Sequence, residues 1–109
     1  MKKLYRVKKN EEFARIIEEK HSNASANFVL YWSKKAQDNV RVGISVSKKL
    51  GDAVDRNRIK RQVREMANVV VDFNSGDKDF IIIVRKPYLK NNFQDNLADL
   101  EKLIKKAII

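Results

Sequence analysis

Cysteine is absent from the chain. Disulfide staples and thiolate metal sites are thereby excluded, and the composition suits a reducing compartment. Histidine occurs once, as His21 in a polar stretch, and reads as an ordinary exposed residue. One proline and three glycines leave no linker, no low-complexity segment and no Gly-rich phosphate loop. No apolar run approaches the roughly 20 residues that span a bilayer. The start, MKKLYRVKKNEEF, is charged but lacks the apolar stretch of a secretory leader. The expected location is the cytoplasm, with no membrane partner.

Acids are the scarcer charge, 14 against 24 Lys and Arg, for a net +10. Such an excess repels itself in a compact state, and a polyanionic partner is the commonest reason to tolerate it. The same scarcity argues against a self-sufficient nuclease, which needs an acid cluster for metal or a general acid/base pair. Asp52 and Asp55, beside Arg56 and Arg58, read as helix caps. Asp77 and Asp79 flank a turn and read as solvated. No Ser/His/Asp set occurs, so the isolated chain is expected to be non-catalytic and to bind no metal tightly.

What is present fits a single domain over residues 1–109, with 43% hydrophobic residues. A basic arm (Lys2, Lys3, Arg6, Lys8, Lys9) leads to Asn10 as an N-cap and a short helix to about Lys20, with Phe13 and Ile17 on one face. HSNASAN reads as a loop. NFVLYWSK reads as a strand with Phe28, Leu30 and Trp32 on one face and Asn27, Val29, Tyr31 and Ser33 on the other. KAQDN is a loop of hairpin length. RVGISVS alternates, with Val42, Ile44 and Val46 inward and Arg41, Gly43, Ser45 and Ser47 on a second, small and polar face that could be open. Asp52 is placed to cap a long helix from about Ala53 to Asp72. DFIIIVRK reads as a central strand covered on at least part of both faces, and Asn92 caps a last helix with Phe93, Leu97, Leu100 and Ile104 at helical spacing. The order α-β-β-α-β-α predicts an α+β, or α/β sandwich, fold with helices against one sheet.

The charge is concentrated. From Lys48 to Arg64 there are seven cations and two acids, so +5 of the net +10 lies in 17 residues. At about 100° per residue, Ile59, Val63, Met66 and Val70 form a narrow apolar stripe. Arg56, Lys60 and Arg64 border it, Asn57 and Arg61 lie further out, and Arg58 points away. Charge runs usually form solvated helix faces, but Glu65 is the only acid in the eight residues from Arg58, so i,i+4 pairing is not its main purpose. Binding to an anionic membrane would need a broad exposed apolar face. A narrow stripe that folding consumes favours nucleic acid, with Arg forks and the Asn57 amide suited to a phosphate backbone.

RVGISVSKKLGDAVDRNRIKRQVRE, Arg41 to Glu65, closely resembles the signature of the bacterial ribonuclease P protein component. YRVKKNEEF, FVLY and DFIIIVRKP extend the resemblance over nearly the whole chain. It implies a fold like domain two of ribosomal protein S5, with a left-handed βαβ crossover, against the roughly 98% right-handed expectation. It implies an endoribonuclease holoenzyme that removes the 5′ leader of precursor tRNA, in which the RNA subunit is catalytic and holds the Mg²⁺. The protein would bind that RNA and the leader, with no protein partner required. Carried over by position, the RNA-binding residues are Lys48, Lys49, Arg56, Asn57, Arg58, Lys60, Arg61 and Arg64. The leader cleft is lined by Lys9, Phe13, Ile17 and Tyr31, with Ser47 and Lys48 nearby.

Read from the residues alone, Phe13 and Ile17 fit core packing slightly better than a cleft, Trp32 belongs with Phe28 in the core, and Tyr31 can stack on an unpaired base. The chain departs from the family pattern twice. Ile17 stands where an aromatic is frequent, and Ser25 and Ala26 replace the Asn-Arg pair that precedes the FV strand. A general RNA-binding or ribosomal-type protein would explain the charge but not the SVSKK to RNRIKR spacing.

Overall fold

The computed structural model describes residues 1–108. Helix α1 (Asn10–Glu18) starts one residue earlier than expected: Lys9 occupies the N-cap position without a side-chain cap, and Asn10 is already helical. Helix α2 (Ala53–Val70) begins in a reciprocal capping box, with Asp55 N donating to Asp52 Oδ1 at 2.9 Å and Asp52 N to Asp55 Oδ2 at 3.4 Å. Helix α3 (Phe93–Ile108) follows Asn92, whose Oδ1 accepts from Asp95 N at 2.8 Å.

The strands β1 (His21–Ala24), β2 (Phe28–Lys34), β3 (Val42–Ser45) and β4 (Lys78–Val84) form one sheet in the order β1-β2-β4-β3. β1 and β4 each pair antiparallel with β2, whereas β3 and β4 are parallel and joined through α2. The expected α+β order holds, with two corrections. His21–Ala24, expected as loop, is an edge strand on β2. The turn after it is built by Ser25, whose hydroxyl oxygen accepts from Phe28 N at 3.1 Å. The loop of hairpin length after β2 makes no hairpin, because β4 lies between β2 and β3. The reason is burial: Phe80, Ile82 and Val84 alternate with Ile81, so β4 is apolar on both sides and takes the central position.

One face of the sheet carries α2 and α3. Phe28, Leu30, Val42, Phe80 and Ile82 meet Ile59, Val63 and Met66 of α2 and Leu100, Leu103 and Ile104 of α3, all buried. Each such side chain contributes about 1.5–3 kcal/mol by leaving water. Val70, expected in the same stripe, is only half-buried, and Ala67 is buried in its place. Trp32 is half-buried at the margin of this core, stacked on His21 of β1 with centroids 6.1 Å apart.

The opposite face falls into three cross-strand rows. Register and alternation place Ser33, Asp79 and Arg41 in the first. Ser22, Tyr31, Ile81 and Gly43 make the second, and Ala24, Val29, Ile83 and Ser45 the third. Asp79, expected to be solvated, is fully buried in the first row. It accepts from Arg41 N at 2.9 Å and from Arg41 Nη2 at 3.2 Å, and the same Nη2 lies 2.6 Å from Glu12 of α1. Burial opposes the charge on Arg41, but hydrogen bonds to Glu12 and Asp79 outweigh it and hold its pKa above the ordinary arginine value. Removing one member of a buried pair strands the other. Asp79→Ala is therefore expected to cost about 3–5 kcal/mol, read as a lowered urea midpoint with an unchanged m-value.

Candidate nucleic-acid interface

α1 lies across the second row. Phe13, Ile17, Tyr31 and Ile83 are half-buried around the buried Val7, Ile16 and Ile81, so three of the expected cleft residues meet in one cluster. Gly43 makes room for the Phe13 ring: a Cβ there would come within 2.6 Å of Phe13 Cζ and 2.7 Å of Ile81 Cδ1. Beyond α1 the third row is only half covered, with Val29, Ile83 and Ser45 each partly exposed. The second face is thus open along one strip, as its small residues predicted, and the strip has an apolar floor beside the Tyr31 ring. Lys9 stands exposed at the head of α1. Ser47 is exposed past the end of β3, its hydroxyl accepting from Lys49 N at 3.3 Å.

The ridge on α2 is built as its spacing predicts. Arg56, Lys60 and Arg64 are half-buried along the packed stripe, while Asn57, Arg58 and Arg61 are exposed. Lys48 and Lys49 lie exposed in the 3-10 turn Lys48–Leu50 that leads into the helix. Among the described residues, Arg58 is the only cation of this set with an ion-pair partner, Asp55 at 3.7 Å. The others face no carboxylate of the described residues within ion-pair distance.

Between the ridge and the cleft lies a pocket of about 360 Å³, walled by Arg6, Lys8, Phe13, Ile44, Lys60 and Arg64. Burial lowers the pKa of Arg64, and the nearby charges of Arg6 and Arg61 lower it further. Arg6 donates through Nη2 to Met1 O at 3.0 Å, while its buried Nε has no acceptor. These guanidinium groups are partly desolvated without counter-charge, a state that an incoming phosphate relieves.

Arg6 and Lys8 were visible in the sequence only as part of a basic arm. What brings them to the site is pairing along the free edge of β3, where Val7 N donates to Val42 O at 3.1 Å. Upstream, Tyr5 stacks on Phe73 with centroids 4.3 Å apart. At the departing turn, Ser25 donates to Asp99 at 2.5 Å, and Arg85 Nη1 donates to Ser25 O at 2.9 Å. A guanidinium therefore does stand at this turn, supplied from the end of β4.

A small α+β sheet protein with a half-open cleft on one face and an uncompensated cationic ridge beside it has the build of a polyanion-binding subunit. Residues 1–108 match the ribonuclease P family model, and the chain belongs to the ribonuclease P protein family. It is 44% identical over 108 residues to the ribonuclease P protein component of Bacillus cereus strain B4264, covering 98% of this chain and 94% of that protein. The Staphylococcus aureus RNase P protein structure superposes with a TM-score of 0.83 at 43% identity, covering 94% of each chain. The Thermotoga maritima RNase P protein does so with a TM-score of 0.79 at 30% identity, covering 93% of this chain and 96% of that one. Membership implies a role in tRNA 5′ processing, as the protein component of an endoribonuclease whose partner is an RNA subunit.

The seat of Phe13 gives a direct test. Gly43→Ala is expected to push the ring out of its place and to cost about 1–3 kcal/mol from overpacking, measured by equilibrium denaturation.

Proposed function

We propose that this chain binds the catalytic RNA of ribonuclease P through the α2 ridge and the 5′ leader of precursor tRNA through the cleft under α1. The observation that carries the reading is adjacency: the pocket of Arg6, Lys8, Lys60 and Arg64 shares Phe13 with the cleft. A single strand lying on the floor of Val29, Ile83 and Ser45 can place a base against Tyr31 while its phosphates meet cations to one side. Asn57, Arg58 and Arg61 on the exposed side of α2 then remain free for the RNA subunit.

Binding energy from the leader, which is remote from the scissile bond, holds the substrate in register on the RNA. The protein's own residues position and neutralise charge, and the hydrolytic step belongs to the RNA. Among the described residues no three Asp, Glu or His side chains gather into a group able to hold a metal. In this reading the Mg²⁺ of the holoenzyme is held by RNA, and added cations on the protein lower the Mg²⁺ concentration the RNA needs. The assembly is cytoplasmic and needs no further protein.

Reconstitution with a ribonuclease P RNA tests the reading. The chain is expected to restore precursor-tRNA cleavage at low, near-physiological Mg²⁺, and no stimulation at any Mg²⁺ concentration would refute it. For Arg61→Ala, the slope of log affinity against log salt is expected to become shallower by about 0.7–0.9, one phosphate contact. An unchanged slope would place Arg61 outside the interface.

A further inference from the structure

We infer that Glu12, Arg41 and Asp79 are positioning residues for leader binding: their ion network fixes α1 over the first two rows of the sheet and keeps the third row open as the cleft floor. The inference rests on the leader reading above.

α1 has little else to fix its place. It is nine residues long, lacks a side-chain N-cap and buries only Ile16 completely. An isolated helix of that length is not stable in water. Its apolar contacts with Val7, Ile81 and Tyr31 hold it to the sheet, but hydrophobic burial is non-directional and tolerates sliding or rolling. The ion network supplies direction. Arg41 Nη2 sits between Asp79 at 3.2 Å and Glu12 at 2.6 Å. Asp79 is held in turn by Arg41 N at 2.9 Å and Ala36 N at 3.3 Å, so its carboxylate is fixed to the backbone of the sheet. Arg15, one turn after Glu12, reaches the same carboxylate at 3.8 Å and Ser33 Oγ at 3.5 Å. All these contacts lie on the first row, at one end of the sheet. Phe13, next to Glu12, then seats over Gly43 in the second row, and the third row stays clear.

A buried ionic cluster is a poor way to gain stability, since well-packed apolar residues do as well or better. It is a good way to specify one arrangement of a short helix. The sign of one substitution separates this role from simple electrostatics. Glu12 is an acid on the helix that flanks the proposed leader cleft, so neutralising it should raise affinity for RNA if charge alone matters. A positioning role predicts the reverse, because Glu12→Gln loosens α1 while leaving the Arg41–Asp79 pair intact.

The test uses the full chain assembled with ribonuclease P RNA, and precursor tRNA with and without its leader. For Glu12→Gln, the affinity gained from the leader should fall by about fivefold or more, a loss within the range of coupled contacts. Affinity for the RNA subunit, carried by α2, should stay within about twofold and serves as the control for folding. Combining Glu12→Gln with Phe13→Ala should cost little beyond Phe13→Ala alone if Glu12 acts through the ring. Tighter leader binding by Glu12→Gln, equal losses with and without leader, or full additivity with Phe13→Ala would each overturn the inference. A wild-type chain with no leader-dependent gain would instead remove the leader reading, and the inference with it.

Discussion

Asp79 stands at the start of the central strand with no exposure to water, and its carboxylate is shared by β3, the loop after β2 and helix α1 through Arg41, Ala36 and Arg15. The two faces of the sheet are organised differently because of it. On the α2 and α3 side, the arrangement is set by the volume of many interlocking apolar side chains. On the α1 side, a short helix with a small apolar footprint is oriented by charge, and the cleft is the part of the sheet that this orientation leaves uncovered.

A second constraint is the uneven distribution of charge. Acids are scarce in the chain, and several of them are committed to structure: Asp52 and Asp55 to the capping box of α2, Asp79 and Glu12 to Arg41. Apart from Arg58, the cations of α2 and of the N-terminal arm have no ion-pair partner among the described residues, and those around Arg64 are partly desolvated. The free protein is therefore under electrostatic stress along this surface, which the phosphates of a bound polyanion would relieve. The reciprocal cap at Asp52 holds the start of the ridge under that load.

The ridge was legible in the sequence because helical periodicity separates a buried stripe from its borders without tertiary information. The second face of the sheet was legible for a similar reason: Gly43, Ser45 and Tyr31 alternate with Val42, Ile44 and Trp32. Other features were not. Asp79 looked solvated because it follows a turn, and only the parallel pairing of β3 with β4 brings Arg41 beside it. β1 looked like loop because four small or polar residues carry no strand pattern, and its pairing with β2 supplies what propensity lacks. Arg6 and Lys8 reached the site through an edge pairing that leaves no local mark. The misses at Asp79, Arg6 and Lys8 are contacts between segments distant in sequence and that at β1 is a pairing across a short turn, whereas each success rests on periodicity within one segment.

The central place of β4 has a consequence for how the molecule comes into being. β2 and β3 cannot pair with one another, and both wait for a strand that lies more than thirty residues after β3 in the chain. Ile83 of that strand is also the middle of the cleft floor, and the buried Ile81 beside it seats α1. The N-terminal two-thirds of a growing chain thus carries the basic ridge, yet neither a closed sheet nor the cleft floor. Such non-local closure is slow, and unpaired strand edges are exposed while it is pending. Charge meets this hazard too: mutual repulsion among chains rich in Lys and Arg keeps the open strands apart until the last one inserts.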